Sequence, residues 1–365
     1  MATAASPDDS SSEVTLRSLL ALRDFRFFLS GRFLGTLASQ ILSVAVGWQI
    51  YEITKSPMAL GFVGLAQFLP MFLLLLPAGD VADRVDRRLI ASASYLLQAA
   101  AVAMLAAFTW AGVAEHAIWP FYLALVILGC ARAFSGPATR AFVPLLVSTR
   151  QLPRGIAISS SSFLTATIVG PALGGFIYIG GPLAAYGTCF VFFLICAVAF
   201  FAIRTRHKQE PADPTLTTFG RVTAGVRFIR RKPIVLGAIS LDLFAVLLGG
   251  AAALMPIFAA DILHVGPQGL GILRSAPALG AVLINFMLIA LPLHRHAGYA
   301  MFACVAIFGL ATITFGLSEN FALSFVALLI MGGSDMISVY VRSTLIPLAT
   351  PPEMLGRVSA VDMVF

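Results

Sequence analysis

The chain is 365 residues long, 59% hydrophobic and only 11% charged, with a mean hydropathy of +0.93. Ordinary soluble domains carry roughly 25% charged residues, so this composition argues against a soluble enzyme or binding module and places the chain in a bilayer. The net charge of +7 could suit a nucleic-acid binder, but the basic residues fall in alternate loops between apolar runs, which is a topology signal.

Residues 1–25 form an N-terminal segment. Its start is serine-rich and acidic, without a basic region followed by an apolar one, so no cleaved signal peptide is expected. A helix needs about 20 apolar residues to cross a hydrocarbon core of ~30 Å. Ten runs meet that requirement: 27–51, 58–78, 89–112, 118–140, 158–179, 183–203, 234–258, 269–292, 299–317 and 321–345. An eleventh begins near Val358. The fold class is therefore an all-α polytopic membrane protein. Residues 26–203 form a first six-helix half, 204–232 a cytoplasmic linker, and 233–365 a second, incomplete half.

Cytoplasmic loops collect Lys and Arg. One side of the membrane receives Arg17, Arg23, Arg26, Arg84, Arg87, Arg88, Arg150, Arg154, Arg295 and Arg357, while the other receives Lys55 with Glu115, Asp261 and Glu319. The N-terminus is accordingly expected in the cytoplasm. Between the second and third spans, Gly79–Arg88 packs six charges into a short polar turn. In the linker, Phe219, Val222, Val226 and Ile229 recur at helical spacing among Arg221, Arg227, Arg230, Arg231 and Lys232. Either an amphipathic helix on the inner leaflet or a solvated linker helix fits that pattern.

The two halves echo each other. Ser56-Pro57 opens the second span as Gly266-Pro267 opens the eighth, and Gly129 with Pro144-Leu145 is matched by Gly332 with Pro347-Leu348 at the same separation. Four charged residues fall inside spans: Arg132, Asp242, Arg274 and Asp335. Each is costly against lipid, so it should face the bundle interior or a partner. Arg132 and Asp335 occupy equivalent positions in the echo. A carboxylate near an arginine can take up and release a proton as water access changes, which makes Asp242 and Asp335 coupling candidates; a buried ion pair that only fixes packing is the alternative. Arg274, near the outer end of its span, is read as snorkelling to the interface. In the fifth span, Gly170-Pro171-Ala172-Leu173-Gly174-Gly175 marks close helix approach around a missing backbone donor.

Other chemistries leave no trace. Cys130, Cys189, Cys196 and Cys304 lie in apolar runs without paired spacing and read as small core residues. No phosphate-binding loop, zinc pair or nucleophile elbow occurs, so no cofactor and no enzymatic activity are expected.

The chain resembles the major facilitator superfamily from about Arg26 onward. Gly79, Asp83, Arg84, Arg87 and Arg88 are in register with that family's first motif, although Asp86 stands where glycine is usual. Leu128, Arg132 and Gly136 resemble the fourth-helix motif, whose arginine is implicated in proton coupling. Gly170, Pro171, Gly174 and Gly175 resemble the fifth-helix motif of antiporters, with Ala166 replacing its first glycine. Trp48–Thr54, Phe142–Val147 and Gly356–Ala360 are most similar to the branch of enterobactin exporters and multidrug-efflux relatives.

The resemblance implies a cavity lined by helices one, four, seven and ten, hence by Gln49, Arg132, Asp242 and Asp335. It also implies that Asp83 locks one state at the start of the eleventh helix. The expected function is a proton-coupled exporter of a siderophore or small amphipathic drug-like compound. It would work by alternating access as a monomer in the bacterial inner membrane, with the substrate, protons and lipid as partners and no nucleic acid. An importer of a small metabolite, or an inactive fragment of a longer transporter, is the alternative.

Overall fold

The computed structural model describes residues 16–113, 117–140, 142–205, 232, 236–237, 240–241, 251–291 and 297–349. Asp242, the linker pattern at 219–231, Arg295 and the start of the eleventh run lie outside the described residues, as do the side chains of Asp83 and Arg84.

Among the described residues the regular elements are all helices. The first unit holds α1 (Leu16–Ala21), α2 (Arg23–Thr54), α3 (Pro57–Arg84), α4 (Arg87–Trp110), α5 (Trp119–Arg140), α6 (Val143–Leu146), α7 (Leu152–Ile177) and α8 (Pro182–Phe201). The second holds α9 (Ala251–Ile257), α10 (Gly266–Ala290), α11 (Ala297–Leu317) and α12 (Phe321–Ala349). Nine of these described helices, all but α1, α6 and α9, are long and apolar enough to cross a membrane. The end of the seventh expected run differs from the expectation: α9 continues past 258 as a π-turn, Phe258–Ile262.

Two short turns define the ends of the bundle. At one end, Lys55 closes α2 in the left-handed region (φ 48°) and Ser56 caps α3, accepting from the Ala59 N–H at 3.4 Å, with Pro57 at the first helical position. At the other, the charged stretch 79–88 is not the loop expected. Helix α3 runs on to Arg84, and only Val85 and Asp86 separate it from α4. Asp86 is there because it caps: it accepts from the Arg88 N–H at 3.1 Å and from Arg88 Nε at 2.9 Å, at φ −56°, so the position needs no glycine. Arg88 Nη1 also donates to the Ile203 carbonyl at 3.2 Å, tying this turn to the end of α8. Asp24 does the same for α2, accepting from the N–H groups of Arg204 and Thr205 and from the Thr205 hydroxyl.

The first unit is held by a core of Phe25, Phe28, Phe121, Phe142, Phe193 and Phe200 together with Tyr186, all fully buried. The thiols of Cys189 and Cys196 point from α8 at carbonyls of α2, Ala38 at 3.4 Å and Gly31 at 3.2 Å, as small core groups do. The second unit is built on Met255, Leu270, Leu273, Phe315 and Leu328. The outward faces are apolar: Phe201, Phe286 and Phe302 are 62%, 67% and 66% exposed, which suits hydrocarbon and not water.

The sequence echo has a structural counterpart. A Cβ on Gly129 in α5 would strike the Gln67 carbonyl of α3, and a Cβ on Gly332 in α12 would strike the Pro277 carbonyl of α10. Gln67 and Pro277 each lie ten residues after the paired prolines Pro57 and Pro267, so the two units repeat one backbone contact. Gly332→Val should cost about 1–3 kcal/mol by overpacking. A fall in the thermal midpoint of the detergent-solubilised protein measures it, with Gly309→Ala, whose Cβ meets nothing within 4 Å, unchanged as the control. Asp86→Ala should lower the same midpoint through loss of a cap worth about 1 kcal/mol.

Candidate functional site

The two units meet along a seam made by α2 and α7 on one side and α9 and α10 on the other. At the Lys55 end, the Tyr51 hydroxyl of α2 donates to the Asp261 carboxylate in the π-turn, and Lys55 lies over the Tyr51 ring at 5.2 Å. The π-turn explains how an acid at the end of α9 reaches α2: the wider turn shifts the register of the residues after it relative to a continuous α-helix. Beside it, Tyr178, just beyond α7, donates to Glu52 at 3.4 Å.

One layer further in, the helix-five glycines serve two contacts, Gly170 and Gly174 with α2 inside the first unit and Gly175 across the seam. Gly170 lies against Gln40, with 2.6 Å from an added Cβ to the Gln40 Cβ, and Gly174 against the Ile41 Cα at 2.9 Å. Gly175 meets the Pro267 carbonyl and Gly271 meets the Pro171 carbonyl, so α7 and α10 approach backbone to backbone where no side chain fits. Helix α7 continues through Pro171 without interruption. Across the seam Val44 of α2 joins the second unit's core at Met255, Ala259, Leu270 and Leu273, forming an apolar plug of five buried side chains.

Below the plug lies Arg274, whose Nη1 donates to the Ser43 hydroxyl at 2.7 Å. This corrects the expectation that Arg274 snorkels. Gly271 and Arg274 share a helix face, and because Gly271 faces α7, Arg274 is turned toward protein. A charge at such depth costs at least ~2.5–3.5 kcal/mol against lipid.

The other expected site residues do not converge. Gln49 was expected in the cavity, but it is buried inside the first unit. Its Nε2 donates to Thr109 of α4 at 3.0 Å and its Oε1 accepts from Tyr186 of α8, which leaves its amide committed to packing. Arg132 of α5 donates to Gln67 Oε1 at 2.7 Å and not to Asp335, which lies half-buried on α12. Gly79 is open, with nothing within 4 Å of an added Cβ. Sequence reasoning missed Tyr51, Ser43 and Asp261. The signal for Arg274 was present, since a small residue three positions before it marks the same face as close-packed.

The sequence matches the transmembrane secretion effector family over residues 17–364. It is 26% identical over 344 residues to macrolide efflux protein A of Streptococcus pyogenes, covering 90% of this chain and 82% of that protein. It is 25% identical over 347 residues to the enterobactin exporter EntS of Citrobacter koseri, covering 92% and 80%. In fold it is similar to a bacterial homolog of the human lysosomal transporter Spinster, solved in an inward-facing and unoccupied conformation, with a TM-score of 0.68 at 14% identity over 97% of this chain and 80% of that one. These proteins are transporters and not enzymes. The chain is a multi-pass membrane transporter that belongs to the transmembrane secretion effector family of the major facilitator superfamily.

Proposed function

We propose that this protein is a proton-coupled exporter that moves a siderophore or small amphipathic drug-like compound out of the cytoplasm by alternating access. It acts as a monomer in a bacterial inner membrane, with the N-terminus and the Arg88 turn inside and the Lys55 turn outside. The observation that carries the reading is the seam, where Tyr51–Asp261, the Gly175 and Gly271 backbone contacts and the apolar plug together bar the outer end between the two units. Relatives named for efflux support the export direction. So does the position of Gly175 of the helix-five motif, which lies in the seam that must part when the outer side opens.

The proton is carried by Asp335 on α12 and by Asp242. Arg132 holds α3 to α5 through Gln67 and sets the first unit as a rigid body. The rocking motion then repacks the seam while leaving the Gly129 and Gly332 contacts intact.

Everted vesicles carrying the protein should accumulate a fluorescent amphipathic dye when energised, and an ionophore that collapses the proton gradient should abolish the accumulation. Asp242→Asn and Asp335→Asn should each reduce accumulation at least tenfold if that residue carries the proton, and unaltered gradient-driven uptake removes it from the mechanism. The latch has its own readout. Tyr51→Phe deletes one hydrogen bond worth about 1 kcal/mol and should raise outward opening about fivefold. Labelling of a Thr36→Cys reporter by a membrane-impermeant maleimide added from outside measures that opening, and equal labelling with and without the Tyr51 hydroxyl assigns the closure to the plug alone.

A further inference from the structure

Arg274 is poorly partnered for a cation at this depth. A guanidinium carries five N–H donors, and among the described residues its hydrogen bond is the single one to Ser43 at 2.7 Å. Among the described residues Asp24 is engaged with Thr205, Glu52 with Tyr178, Asp86 with Arg88 and Asp261 with Tyr51, while Glu319 is exposed beyond the end of α11. Asp335 sits on α12, three residues beyond Gly332, which abuts Pro277, and so lies deeper toward the Arg88 end than Arg274. Arg274 itself is only partly buried, so part of its side chain stays accessible beside the Ser43 contact.

A second polar group lies one turn away on α2. Gln40 lies on the Ser43 face of α2, three residues earlier. It is partly buried, its stem is pressed by Gly170, and its amide has no hydrogen-bond partner among the described residues. Neighbouring polar groups on α2 are spent on their own helix: Thr36 donates to the Arg32 carbonyl at 2.8 Å and Ser39 to the Gly35 carbonyl at 2.9 Å. Arg274 and Gln40 thus bring spare hydrogen-bonding capacity from the two units, a cation on α10 and an amide on α2.

We propose that Arg274 and Gln40 form an anion-recognition site for the cargo, taking an ionised oxygen group such as a carboxylate on an otherwise apolar compound. The proposal rests on the transporter reading above and narrows its substrate class. The Ser43 hydroxyl orients the guanidinium, a further donor of Arg274 meets the anionic oxygen, and the Gln40 amide donates from across the seam. The rest of the compound lies against the apolar plug. Because α2 and α10 belong to different units, bound anion bridges the parts that must separate.

The test uses three probes with the same ring and chain and different end groups: 1-pyrenebutyrate, 1-pyrenebutanol and 1-pyrenebutylamine. Binding to the purified full chain in detergent is read from probe anisotropy. Wild type should bind the butyrate about tenfold more tightly than the amine, with the alcohol between them. Arg274→Gln should lose about tenfold for the butyrate with alcohol binding unchanged, and Arg274→Lys should keep part of the preference. Gln40→Ala should weaken the butyrate two- to threefold and leave the alcohol, which supplies a variant readout should Arg274→Gln not fold. Equal binding of acid and amine by wild type overturns the proposal without any variant. Failure of the acid to bind overturns it as well, and so does an Arg274→Gln protein that retains the acid preference. Uptake of the butyrate into everted vesicles is scored separately. Absence of uptake with the charge preference intact counts against export and leaves anion recognition supported.

Discussion

The structure depends on how closely α7 and α10 approach. Gly175 and Gly271 bring two backbones together against the Pro267 and Pro171 carbonyls, at a spacing that any Cβ would prevent. In lipid no hydrophobic force drives helices together, so such contacts rely on dispersion and on polar contacts at short range, both of which need small residues. Once the two backbones are fixed, the rest of the seam follows. The Gly271 face of α10 turns Arg274 toward Ser43, and the end of α9 comes near enough for Asp261 to meet Tyr51.

The seam stacks distinct kinds of interaction in depth. A hydrogen bond at the Lys55 end stands above an apolar plug, and a cation stands below it. Each layer by itself is weak: one neutral-to-charged hydrogen bond, a handful of buried aliphatic groups, one hydroxyl on a guanidinium. Under the alternating-access reading proposed above, such a seam can break and re-form. The first unit is built differently. Gln49, Thr109 and Tyr186 join three of its helices through satisfied buried polar groups, and phenylalanine rings from α2, α5, α8 and the α5–α7 connection fill its middle. A satisfied polar network of that kind rigidifies the unit that carries it.

Much of the fold was legible because span length and loop charge are properties of the linear sequence. Every long helix described falls on an expected apolar run, and the echo of Gly129 in Gly332 pointed to two related halves. What stayed hidden was rotation. A membrane helix is apolar nearly all round, so hydropathy fixes where it crosses and leaves open which way Gln49 or Arg274 points; neighbouring helices decide that. The π-turn at Phe258–Ile262 was equally invisible, because nothing in the hydropathy of that stretch distinguishes a wider turn from a continuous helix. The charged stretch at 79–88 misled for another reason. Charge predicts water, but Asp80, Asp83 and Arg84 lie in a helix that simply extends beyond its apolar run.

The repeat also shows where the two units have parted in chemistry. Position 67 supplies a carbonyl to Gly129 and a side-chain oxygen to Arg132, so one residue both seats the helix and holds its cation. Its counterpart Pro277 supplies the carbonyl to Gly332 in the same way, but proline has no side-chain donor to offer Asp335, the counterpart of Arg132. The backbone contact is thus common to both units, while the side-chain pairing it supports is particular to the first. A cation held by a neighbouring helix is a fixture of its unit. An acid at the equivalent place must be served from some other position, so the two units share a backbone contact and differ in the polar chemistry built on it.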